Sequence, residues 1–110
     1  MEVKEGVDPR SLDWHMFVAL PVIDHIFTTH GFECTLTSTR EGDHGEWSWH
    51  KCGMAADFRT HGLSLGEVTV LAEDIRQGLG RPYQVVIEPT HIHVECDLRA
   101  NPDYVGKWPL

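Results

Sequence analysis

Ten residues, Ser48-Trp49-His50-Lys51-Cys52-Gly53-Met54-Ala55-Ala56-Asp57, constrain the chain more than any other stretch. A histidine and an aspartate stand seven positions apart, joined by small residues and followed by Phe58 and Arg59. Met54 to Phe58 can run as a short strand, in which alternate side chains share a face. Asp57 then points the same way as Ala55, whose small side chain leaves open space beside the carboxylate. Gly53 permits the sharp turn that brings His50 back over the strand. An imidazole and a carboxylate on neighbouring backbone segments supply two of the three protein ligands of a catalytic zinc site, whose fourth position stays open. The plainer reading is a surface histidine beside a strand-end aspartate.

With 110 residues the chain has room for one domain and one core, spanning 1–110. Hydrophobic residues make up 41% and charged residues 24%, which argues against wholesale disorder. The net charge is −8 and the nine basic residues are scattered, so there is no basic stripe for nucleic acid or an anionic membrane surface. Met1-Glu2-Val3-Lys4-Glu5 is acidic and lacks an apolar centre, and no apolar run approaches bilayer length. Cytoplasmic synthesis without a signal peptide is expected, and a monomer. The three cysteines, Cys34, Cys52 and Cys96, form no Cys-x-x-Cys pair, so neither a disulfide framework nor a zinc finger is expected.

Asp8-Pro9-Arg10-Ser11 reads as a turn into a helix in which Trp14, Phe17, Val18, Val22, Ile26 and Phe27 recur near helical spacing. Pro21 predicts a kink or two shorter helices, and Gly31 a stop. His15, His25 and His30 are solvated residues of this segment, with no partner at ligand spacing. Glu33 to Ser38 alternates like a strand, with Cys34 and Leu36 inward. Thr39 to Trp47 follows as a loop, with Arg40 at the strand end and Trp47 and Trp49 either rimming a cleft or packing the loop down. Ser64-Leu65-Gly66-Glu67 is a capping box. Val68, Leu71, Ala72, Ile75 and Leu79 then line one face of a structural helix that stops at Gly78 to Gly80. Two strands flank Pro89, Tyr83 to Glu88 and Thr90 to Cys96. In the second, His91, His93 and Glu95 share one face, and Ile92, Val94 and Cys96 the other. Asn101 to Leu110 reads as a tail laid over the body, with Tyr104 and Trp108 as anchors.

His50, Asp57 and one of His91 or His93 thus make a two-histidine, one-carboxylate set suited to zinc with a bound water. Glu88, at the end of the preceding strand, is a candidate base for that water's proton. Arg40 could aim at whatever His50 and Asp57 hold.

Ser48, His50, Gly53, Ala55 and Asp57 stand as S-x-H-x-x-G-x-A-x-D, followed by His91-Ile92-His93. This combination resembles the zinc metallopeptidases of bacterial cell walls and their phages. These include D-alanyl-D-alanine carboxypeptidases and L-alanyl-D-glutamate endopeptidase endolysins, which share their fold with the Hedgehog signalling domain. The resemblance runs from about Ser38 to Glu95. It implies an α+β fold, a small mainly antiparallel sheet with helices packed on one side. It also implies zinc on His50, Asp57 and the histidine of the second motif, and a substrate-orienting role for Arg40. In relatives with H-x-H the second histidine is the ligand and the first assists catalysis, which makes His93 the ligand and His91 catalytic. In others an acid stands three residues before the ligand, and Glu88 with His91 would fit that spacing. The implied activity is hydrolysis of a peptide bond in a peptidoglycan stem peptide, with Glu88 or His91 as base. Such an enzyme reaches the wall after lysis, through a holin or in a virion. A catalytically silent, zinc-stabilised binding domain is the alternative.

Overall fold

The structure, a computed structural model, describes residues 1–40 and 52–98. The fold is α+β. In chain order it comprises β1 (Glu2–Val3), a 3-10 turn at Pro9–Ser11, α1 (Trp14–Phe17), α2 (Leu20–Thr29), β2 (Thr35–Ser38), β3 (Ala55–Arg59), α3 (Leu65–Leu79), β4 (Tyr83–Ile87) and β5 (His91–Cys96). The strands form one five-stranded sheet in the order β1-β2-β3-β5-β4. Among the described residues only the β1–β2 pair is parallel, and the other three pairings are antiparallel. No helix among the described residues is long and apolar enough to cross a membrane.

The alternation of β5 decides which side of the sheet is core. Ile92, Val94 and Cys96 are fully buried, as are Ala56 and Phe58 of β3 and Leu36 of β2. The register sets Phe58 against Ile92 and Ala56 against Val94, so these residues share one face. Ile23 and Phe27 of α2 and Val68, Leu71, Ala72 and Ile75 of α3 join them in a single cluster. The helices therefore cover that face. The opposite face carries Ala55, Asp57, His91, His93 and Glu95.

The capping box holds: the Ser64 hydroxyl accepts from Glu67 N–H at 3.1 Å, and Glu67 Oε1 accepts from Ser64 N–H at 2.8 Å. Gly80 closes α3 at φ +65. Arg76, in its last turn, donates to the Val85 carbonyl of β4 at 2.9 Å. The first helical segment splits into α1 and α2, with Pro21 in the first turn of α2, where no backbone donor is lost. That break moves the apolar stripe. Trp14, Phe17 and Val18 are 65%, 48% and 50% exposed, and the buried residues are instead Met16, Ala19, Leu20, Ile23 and Phe27. A single helical period run across Val18 and Ala19 loses its phase there.

Gly53 explains how β3 is entered. Its φ is +75, and a Cβ built there would lie 2.8 Å from Asp13 N and 3.0 Å from Ser11 O. The Asp13 N–H donates to the Gly53 carbonyl at 2.9 Å, which ties the segment before α1 to the turn before β3. Gly53→Ala should destabilise the protein by at least about 1–2 kcal/mol from the left-handed backbone alone, and further through the collision with Asp13. Urea denaturation measures it, and an unshifted midpoint would mean that the 9–13 segment yields freely.

Candidate metal and catalytic site

Among the described residues Asp57 is the one buried charge, 7% exposed, in the middle of β3. A carboxylate out of water needs charged or hydrogen-bonding partners, and the neighbouring strand supplies them. Asp57 stands directly opposite His93 in the β3–β5 register. The His93 Nδ1–H donates to Asp57 Oδ1 at 2.9 Å, and its Nε2–H donates to Glu95 Oε1 at 2.9 Å. On the other side, His91 Nε2 lies 3.6 Å from Asp57 Oδ2, a charge contact longer than a hydrogen bond. The His91 ring is held from behind by Thr90, whose Oγ1 is 3.0 Å from Nδ1. Period-two geometry thus delivers both histidines to one carboxylate.

Burial opposes a charge on the His93 ring. Its hydrogen bonds to Asp57 and Glu95, with the two negative charges behind them, outweigh that cost and hold it up to about 9, above the ordinary 6.5. Cys34 and Cys96 show the opposite balance: burial pushes each thiol up to about 12, so both stay protonated at neutral pH. As expected, they are core residues, and Cys96 points away from His93.

Asp57 Oδ1 and His93 Nδ1 suit a shared metal ion. Ligands at ~2.0–2.1 Å from a tetrahedral zinc stand about 3.3 Å apart, close to the 2.9 Å between these two atoms. The donor set, one carboxylate oxygen and one imidazole nitrogen, also fits zinc. Among the described residues alone, no three His, Cys, Asp or Glu side chains close a metal site. His50, the third member of the expected set, lies outside the described residues, as do Trp47, Trp49, Tyr104 and Trp108.

Arg40 and Glu88 stand just past the ends of β2 and β4. Arg40 follows β2 and is exposed. Its Nε backs onto the Gly53 turn, 3.1 Å from where a Cβ of residue 53 would be. Glu88 directly follows β4, and its N–H donates to the His91 carbonyl at 2.9 Å. Its side chain lines a cleft with Thr60, Leu63, Leu65, Val68, Ile87 and Pro89, and makes no hydrogen bond or ion pair among the described residues. His15 and His30 pair with Asp13 and Asp74 through 2.7 and 2.6 Å contacts on the helices, remote from any ligand set. Glu95 was visible in the sequence only as a face-mate of the histidines; its contact with His93 makes it part of the site.

The raised His93 pKa predicts how stability depends on pH in the chelator-stripped protein. The folded state binds this proton more tightly than the unfolded chain, so the contribution is full below pH ~6.5 and lost as the pH climbs to about 9. Urea midpoints between pH 6 and 9 should fall, and the decline should vanish in His93→Gln; a decline unchanged in that variant would assign it to other groups. No family model matches the chain, and no curated protein or solved structure matches it significantly.

Proposed function

We propose that the protein is a zinc metallopeptidase that hydrolyses a peptide bond in peptidoglycan stem peptides, with the fold of the cell-wall carboxypeptidases and the Hedgehog domain. The observation that carries this reading is the buried Asp57 carboxylate with both histidines of His91-Ile92-His93 turned to it. It sits at the end of the S-x-H-x-x-G-x-A-x-D pattern, whose glycine and alanine have physical reasons in this fold. The five-stranded, mostly antiparallel sheet with helices on the far face is the coarse architecture such enzymes use.

In this reading His50, Asp57 and His93 hold the metal. Bound there, zinc would bring the pKa of a water toward ~7 and polarise the scissile carbonyl. His91 is the preferred base: its Nδ1 is tied to Thr90, which leaves Nε2 on the carboxylate side to take the proton. Glu88 is the second candidate. Arg40 would hold a substrate carboxylate or stabilise the oxyanion. The substrate is a wall peptide, and neither nucleic acid nor a membrane enters the reading. The enzyme would meet its substrate after lysis, through a holin or from a virion.

The purified protein should carry one zinc per chain by elemental analysis. Asp57→Ala should lose most of it, because two imidazoles leave the ion under-coordinated. A metal-free wild type after zinc loading, or full retention in Asp57→Ala, would sink the site.

Mass spectrometry of peptidoglycan digested with the zinc-loaded protein tests the activity. His91→Ala should keep zinc while hydrolysis falls by about 10²–10⁴-fold, and Glu88→Gln should leave most of the rate. If Glu88→Gln alone abolishes turnover, the base is Glu88. A wild type that holds zinc yet releases no fragment is the binding-domain alternative.

A further inference from the structure

We infer that Glu95 is a positioning residue, which fixes the His93 ring so that Nδ1, and not Nε2, is the nitrogen offered to the metal. The inference rests on the zinc reading above and adds a residue outside the ligand set. A neutral imidazole has one protonated nitrogen and one with a free lone pair, and a hydrogen bond at one determines what the other can do. Glu95 Oε1 lies 2.9 Å from His93 Nε2, and a carboxylate can only accept, so Nε2 carries the proton. Nδ1 also carries a proton in the metal-free structure, donated to Asp57 Oδ1, and that is the proton a metal shared with Asp57 would displace.

Three features make the contact more than a chance pairing along a strand. Glu95 and His93 are two apart on β5, so both project from the same face. Ala55 is the cross-strand partner of Glu95, and its small side chain leaves the carboxylate room to lean toward the ring. Both side chains are largely buried, at 13% and 16% exposed, and His93 is the only polar partner of Glu95 among the described residues. A carboxylate so enclosed, with no Lys or Arg among its described partners, is held by the histidine it orients. A metal bound at Nδ1 would displace the proton donated to Asp57, while the Nε2 proton would stay on the ring and keep donating to Glu95. The carboxylate behind the ring also makes Nδ1 a stronger donor.

Zinc affinity, read by competition with a chromophoric chelator, should rank wild type above Glu95→Gln and Glu95→Leu lowest. The leucine variant should lose about 10–100-fold. Glutamine keeps an acceptor for Nε2–H and should recover part of that loss. Equal affinity in all three would overturn the inference while leaving the zinc site standing. A wild type with no zinc affinity would remove the metallopeptidase reading, and this inference with it. Should the leucine variant fail to fold, long-range nitrogen–proton NMR of the zinc-loaded wild type still decides: metal on Nδ1 with a protonated Nε2 is expected, and metal on Nε2 overturns it.

Discussion

The pairing of β3 with β5 is the constraint on which the rest of the molecule depends. In that register Asp57 faces His93, Phe58 faces Ile92 and Ala56 faces Val94. One set of backbone hydrogen bonds therefore aligns a polar row on one side and a core row on the other. A slip of one residue would turn every side chain over, placing the imidazoles among Phe27, Leu71 and Ile75 and the apolar row outside. The burial of Ile92, Val94 and Phe58 thus protects the site geometry as firmly as any contact within it. The core and the polar row are specified by the same two strands.

The polar row is organised by charge. Asp57 is buried beyond what a lone carboxylate tolerates, and two imidazoles lie within 3.6 Å of it. His93 in turn lies between two carboxylates. The arrangement is consequently an ion-pair network in which the His93 ring bridges two carboxylates. Such a row stays compact because the ring's protons offset part of the acidic charge. The glycine at the entry to β3 has the complementary task of admitting the backbone of Asp13, which anchors the first helix against the same strand.

Where the sequence carried a strong period or a local chemical signature, the structure could be read from it. The alternation from His91 to Cys96 assigned both faces of β5, and Ser64 with Glu67 located the start of α3. The stripe from Trp14 to Phe27 misled because helical phase survives only while the helix is unbroken, and the chain changes helix at Val18 and Ala19. β1 left no trace in the sequence: two residues cannot display a period, and their parallel pairing with Thr35 and Leu36 is purely tertiary. Glu88 reads in the sequence as a candidate base from its place at the end of a strand, but a sequence does not show which way the chain turns its side chain there. Its side chain lines a cleft with residues of the α3 end of the molecule rather than pairing with Asp57 or the histidines. Glu95 could be placed in the sequence only as a face-mate of the histidines, not as a partner of one. An acidic residue on an alternating strand reads as solvated, and only the cross-strand position of Ala55 reveals the space that lets it reach His93.

The reach of Arg76 across to Val85 has a consequence for how copies of the chain meet one another. A sheet with open ends presents unpaired carbonyl and amide groups that can template a strand from another molecule. At one end β1 offers only Glu2 and Val3, too short a ladder to recruit a partner. At the other, β4 is five residues long and includes Val86, 42% exposed. There the guanidinium of Arg76 occupies the Val85 carbonyl and brings a charged group to the rim. The helix that covers the core thereby also sets a charge over that rim of the sheet, the kind of feature that discourages a further strand from pairing there.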